Sequence, residues 1–201
     1  MLRVGLTGGL ACGKTFVGET LADLGCLVIA ADDLGHTVLA PGEEAYDSVV
    51  REFGPEILAA GGQIDRSRLA ERAFADPQRL ARLNDLVHPL VVRREENLLA
   101  GFEAAHPDGI AVVEAAILIE NGSYKRFDRI VLVTCDEARQ VERAMRRPGA
   151  READVRARLR RQAPLEEKRK YADFVIDTSG EKASTLRQTR AMYDALRRIQ
   201  S

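Results

Sequence analysis

The sequence predicts an α/β fold: a three-layer, five-stranded parallel sheet with helices on both faces. Three observations predict it. Short, continuous apolar runs alternate with amphipathic stretches of helical period, the pattern of strands covered on both sides. A glycine-rich turn joins the first strand to the first helix. About 80 residues separate the second strand from the third, far more than a simple crossover needs, so a helical insertion is expected there.

Composition sets the bounds. The chain has 201 residues, 45% hydrophobic and 30% charged, enough to bury a core and too apolar for a disordered class. Basic residues number 30 and acidic residues 31, a formal net charge of −1. That balance excludes a protein that coats nucleic acid or an anionic membrane over its whole surface. No apolar run approaches the roughly 20 residues of a membrane span. No charged leader precedes the apolar start, so a cytoplasmic protein, monomeric or weakly self-associating, is expected. The three cysteines, Cys12, Cys26 and Cys135, are too few for a disulfide framework and lack zinc spacing.

Leu2 to Leu6 reads as the first strand. Val17, Leu21 and Leu24 then recur at helical spacing, and Gly25 stops that helix. Leu27 to Ala30 is a second buried strand, followed by Asp32 and Asp33. From residue 34 to 108 the periodicity is helical. It is punctuated by Pro41-Gly42, Gly54-Pro55, Gly61-Gly62, Asp76-Pro77 and His88-Pro89, each expected to break a helix. Ile110 to Val113, Ile130 to Val133 and Phe174 to Ile176 are the remaining strands. A closing helix, Lys182 to Ile199, has Leu186, Met192, Tyr193 and Leu196 on its apolar side.

The turn carries the chemistry. Gly8-Gly9-Leu10-Ala11-Cys12-Gly13-Lys14-Thr15 matches the phosphate-loop pattern G-x-x-x-x-G-K-[ST] between a strand and a helix. Gly8 and Gly13 permit the tight turn that converges backbone N–H groups on phosphate oxygens. The helix beginning near Lys14 adds its positive dipole end. Lys14 is expected to reach the β- and γ-phosphates of ATP, and the Thr15 hydroxyl to ligate Mg²⁺. Cys12, at a helix N-terminus, has either a depressed thiol pKa and redox sensitivity, or a harmless place in the loop.

No N-K-x-D guanine motif is present, and the insertion with an arginine-rich late segment points toward small-molecule kinases. The resemblance then becomes specific. Val4-Gly5-Leu6-Thr7-Gly8-Gly9 with Gly13-Lys14-Thr15, Ala31-Asp32, Gly62-Gln63-Ile64-Asp65-Arg66, His88-Pro89-Leu90, Glu120-Asn121-Gly122 and Ala172 to Asp177 occur in the order seen in the dephospho-CoA kinase family. The chain resembles that family over its length. It departs at Ala11 and Cys12 (usually glycine and serine), Ala30 (the first acid of an Asp-Ala-Asp signature), His36 (often arginine), Ala116 (usually proline) and Thr178 (usually asparagine).

The resemblance implies strand order 2-3-1-4-5. It implies a nucleotide-binding core over 1–33, 109–142 and 171–201, an acceptor-binding insertion over 34–108, and a lid over 143–170. It also implies transfer of the ATP γ-phosphoryl group to the ribose 3′-hydroxyl of dephospho-CoA. Asp32, at the strand tip beside the loop, would accept the attacking hydroxyl's proton, with Asp33 the better helix N-cap. Lys14 and Arg147 would share the catalytic work. Gly8 to Thr15, Arg143, Arg147 and Asp177 would bind the nucleotide, and Asp32, His88 and Glu120 the acceptor. Glu114 either helps Thr15 hold Mg²⁺ or bonds the loop backbone. Asp136 reads as an N-cap, with Glu137 in the first turn.

Residues 143 to 170 hold eleven basic and four acidic side chains. Arg143 and Arg147, four apart, would share a helix face above the phosphates, and most other arginines would be solvated or paired at i,i+4. Pro148-Gly149 should interrupt the helix. Another small-molecule kinase is the alternative activity. An RNA-binding module on the basic stretch is disfavoured, because aromatics are 5% and tryptophan is absent.

Overall fold

The computed structural model describes residues 1–200, except the side chains of Gln200 and of Arg161, one of the eleven basic residues of the 143–170 stretch; these side chains and Ser201 lie outside what is described. The elements are β1 Leu2–Gly8, α1 Lys14–Asp23, β2 Leu27–Ala30, α2 Ala31–Thr37, α3 Tyr46–Phe53, α4 Arg66–Phe74, α5 Pro77–Ala105, β3 Ile110–Glu114, β4 Arg129–Thr134, α6 Glu137–Met145, α7 Glu152–Arg161, α8 Leu165–Arg169, β5 Phe174–Asp177 and α9 Lys182–Gln200. The strands form one parallel sheet in the order β2-β3-β1-β4-β5, with helices around it. No described helix is long and apolar enough to cross a membrane.

The chain divides into two compact units, Met1–Ala30 with Gly101–Ser201, and Ala31–Ala100. In the first, β1 is central. Val4 and Leu6 point into a core that includes Val17 and Leu21 of α1, Val131 and Val133 of β4, and Met192 and Leu196 of α9. The pleat turns Gly5 to the opposite face. A Cβ there would meet Ile130 Cδ1 at 2.8 Å and Leu118 Cδ1 at 3.1 Å, so glycine admits those side chains. Thr185 and Thr189 are also buried on α9; the Thr189 hydroxyl donates to the Thr185 carbonyl at 2.9 Å, which satisfies it within its own helix.

The second unit packs Val38, Val49, Phe53, Ile57, Leu69, Ala73 and Val91 together. Asp65 caps α4, accepting from the N–H groups of Ser67 and Arg68 at 2.9 and 3.1 Å. Two expectations fail in this unit. α5 runs through His88-Pro89 for 29 residues. Both residues are exposed, while Leu86, Val87, Leu90 and Val91 pack inward and hold the helix across the missing N–H. Asp33 is not an N-cap either: α2 starts at Ala31 directly after β2, which places Asp32 and Asp33 in its first turn, with Asp33 facing His36 at 3.7 Å.

Candidate active site

All five strands run the same way, so the tips of β1, β3, β4 and β5 and the loop after β1 share one edge of the sheet. Glu114 ends β3 between Leu6 of β1 and Ala30 of β2. The loop leaves β1 at Gly8, where an added Cβ would collide with the Val133 carbonyl oxygen of the neighbouring strand. Two loop residues are left-handed: Gly13 at φ 82° and Ala11 at φ 54°. Gly13 adopts this freely and Ala11 only under constraint from its surroundings. Alternation of handedness turns successive N–H groups toward one concavity, which favours an anion.

Lys14 begins α1, and its Nζ reaches back to donate to the Gly9 carbonyl at 3.2 Å, spanning the loop. The Thr15 hydroxyl is 3.5 Å from Glu114 Oε1 and donates to it. Gly18, one turn on, brings α1 against the same carboxylate. Beside Gly9 lies a cavity of about 480 Å³ whose walls include Cys135, Glu137, Gln140 and Gln162. A second, of about 440 Å³, is lined by Asp136, Arg169, Asp177, Ser179 and Gln188.

Cys12 is fully buried. Burial, reinforced by Cys135 and only partly opposed by Lys14 and the Gly9 backbone, pushes its thiol up to about 11. Of the two readings of Cys12, this removes the depressed thiol: desolvation outweighs the helix terminus. Asp177 is held below its ordinary range by hydrogen bonds from the Ser179 hydroxyl and N–H, at 2.7 and 2.9 Å.

Arg143 on α6 donates to the Thr178 hydroxyl at 3.0 Å and the Thr178 carbonyl at 2.7 Å. Thr178 Oγ1 in turn lies 2.7 Å from the Cys12 carbonyl and 3.1 Å from that of Thr134. Arg147 does not share the face of Arg143. α6 ends at Met145 and Arg147 sits in the following turn, exposed, its guanidinium without a partner among the described residues. Pro148 explains this, because the residue before a proline is driven out of helical conformation. Asp136 takes the N-cap position of α6, but its side chain makes no capping bond. Arg146–Glu142, Arg151–Asp154 and Arg156–Glu152 pair along the exposed helices.

Sequence reasoning missed four residues. Gln140 is buried, donates to the Cys135 carbonyl at 2.9 Å, and packs against Gly9. Gln162 reaches the Leu10 N–H at 2.8 Å. Thr178, noted as a departure, joins loop, sheet and α6. Lys168 is fully buried and pairs with Glu120 at 2.6 Å. Nothing in a basic run distinguishes the one lysine that points inward.

The chain matches the family model described as dephospho-CoA kinase over residues 2–184. The chain belongs to this family. It is 37% identical over 198 residues to the dephospho-CoA kinase of Aquifex aeolicus, covering 98% of this chain and 99% of that one. It is 40% identical over 198 residues to that of Thermobifida fusca, covering 98% of each. In fold it is similar to the dephospho-CoA kinase from Campylobacter jejuni, at a TM-score of 0.70 and 24% identity, covering 99% of this chain and 98% of that one.

Proposed function

We propose that the protein transfers the γ-phosphoryl group of ATP to the ribose 3′-hydroxyl of dephospho-CoA, giving coenzyme A and ADP. Membership of the family supports the reaction. The observation that carries the assignment of the site is Lys14 spanning a left-handed glycine loop while Thr15 and Glu114 stand 3.5 Å apart beside it. Phosphoryl transfer asks for position and charge neutralisation, and this loop offers both.

The loop N–H groups and Lys14 bind the phosphates. Asp32 accepts the proton of the 3′-hydroxyl as its oxygen bonds to the γ-phosphorus. The bond from that phosphorus to the β,γ-bridging oxygen breaks, and ADP leaves. Arg147, without a partner among the described residues at the turn between α6 and α7, meets the charge spreading over the transferred group, and Arg143 sets the wall behind the loop. Asp177 lies toward the nucleoside end. Residues 34–108 with His88 form the acceptor domain and 143–170 the lid, which excludes water. The compact unit 31–100 supports a separate acceptor domain.

Among the described residues no group of three or more His, Cys, Asp or Glu side chains could hold a metal. The Thr15 and Glu114 oxygens fit Mg²⁺, which uses one or two protein oxygens together with substrate phosphates. Bound there, Mg²⁺ would neutralise phosphate charge. The enzyme acts in the cytoplasm on small molecules, without nucleic acid or membrane.

A coupled ADP-release assay with dephospho-CoA tests the reading, with shikimate, gluconate and nucleosides as competing acceptors. Turnover is expected with dephospho-CoA alone. Asp32→Asn should bind ATP normally and lose about 100-fold in kcat. Near-normal turnover in that variant would remove Asp32 from its role.

A further inference from the structure

The apex of the phosphate loop is held from outside the loop. Leu10, its third residue, donates its N–H to the side-chain carbonyl of Gln162 at 2.8 Å. Gln162 stands at the end of α7, and the next residue is fixed as well: the Ala163 N–H donates to Glu120 Oε1 at 3.2 Å. The same oxygen receives Lys168 Nζ at 2.6 Å, and that ammonium also donates to the Ala116 carbonyl at 3.2 Å. Lys168 is entirely buried. A buried ammonium cannot exchange its carboxylate for water, so the pair is a fixed point, and the 162–163 junction is fixed with it.

We propose that Gln162 is a positioning residue for phosphoryl transfer. It holds the loop apex in the shape the transferring phosphate needs, and the Lys168–Glu120 pair holds Gln162 in place. The proposal rests on the phosphotransferase reading above. Its physical basis is the strain next door. Ala11 follows Leu10 at φ 54°, a conformation its Cβ disfavours, so the loop depends on outside contacts to stay in it. A tie on the preceding N–H is such a contact. Glu120 accordingly serves geometry rather than acceptor contact: one of its oxygens is already shared between Lys168 and Ala163.

The test compares the full-length wild type with Gln162→Ala, which removes the acceptor, and Gln162→Glu, which keeps a carbonyl-type oxygen at the same reach. Amide exchange followed by NMR without ligand reads the tie directly. The Leu10 N–H should exchange at least about tenfold faster in Gln162→Ala and near the wild-type rate in Gln162→Glu. In the kinase assay Gln162→Ala should lose about tenfold in kcat, the scale of a sub-ångström misplacement, with KM for ATP changed less than about threefold. Gln162→Glu, which folds with the same tie, should raise KM for ATP by its added negative charge. An unchanged Leu10 exchange rate in Gln162→Ala overturns the proposal. So does tighter ATP binding with kcat retained, which would make Gln162 a plug in an empty loop. A wild type inactive toward dephospho-CoA defeats the functional reading instead, and the exchange rates still decide the tie.

Discussion

Gly18→Ala separates the stability of the fold from the placement of Glu114. Gly18 is buried in α1, and a Cβ there would stand 3.5 Å from Val28 Cγ1 and 3.8 Å from Leu6 Cδ2, ordinary contacts, but 3.2 Å from Glu114 Oε2. Glycine inside a helix costs about 1 kcal/mol relative to alanine. One buried methyl adds about 0.8 kcal/mol of transfer free energy. Against these stands the displacement of a carboxylate oxygen by a few tenths of an ångström, at a cost of about 0.5 to 1 kcal/mol for a side chain pushed off its rotamer. The balance favours the variant by about 1 kcal/mol, a rise in Tm of about 2–4 °C for a chain of this size. The same displacement moves Glu114 relative to Thr15, now 3.5 Å away, so kcat should fall about tenfold and need more Mg²⁺ for half-saturation. Scanning calorimetry and Mg²⁺ titration of the coupled assay read the two effects. A raised Tm with unaltered kcat and Mg²⁺ dependence would show that the Glu114 carboxylate has no part in the site. A lowered Tm would refute the packing reasoning.

Gly8→Ala should behave in the opposite way: its Cβ meets the Val133 backbone, which cannot rotate aside, so β1 and β4 must part. A loss of about 1–3 kcal/mol in urea unfolding is expected, with activity reduced at temperatures where the protein remains folded. For the thiols, burial raises Cys12 and Cys26 from 9.0 to about 11. The folded state therefore keeps its protons longer than the unfolded chain. The stability they contribute is full below about pH 9 and is lost as pH rises toward 11, by up to about 3 kcal/mol each. Urea midpoints of the wild type should fall more steeply over that range than those of Cys26→Ala, and equal slopes would refute the assignment. At neutral pH the native protein should react negligibly with a thiol reagent and keep its activity after peroxide.

The central fold was legible because its signals are local. A glycine loop between an apolar run and a helical period announces β1 and α1 within a few residues, and strands buried on both faces appear as unbroken apolar runs. The expected strand ends accordingly fall close to those found, such as β3 at Ile110–Glu114 and β4 at Arg129–Thr134. Helix limits were less legible, for competing reasons. Packing carried α5 through Pro89, whereas Pro148 unwound α6 before Arg147 could join Arg143. The side chains that complete the loop were illegible because each acts across a long stretch of sequence. Gln162 meets Leu10, Thr178 meets Cys12, and Lys168 meets Glu120, and no spacing encodes such pairs. Cys12 shows the same limit: its position at a helix terminus is readable, but the burial that sets its proton affinity belongs to the folded whole.

The Thr178 hydroxyl, set against the Cys12 carbonyl, has a consequence for how the protein is made. The segment that grips phosphate is made early relative to its brace, which follows 166 residues later along the chain. A nascent chain short of β5 carries the turn without its fastening, so competence to hold nucleotide should switch on late in synthesis, in a single step.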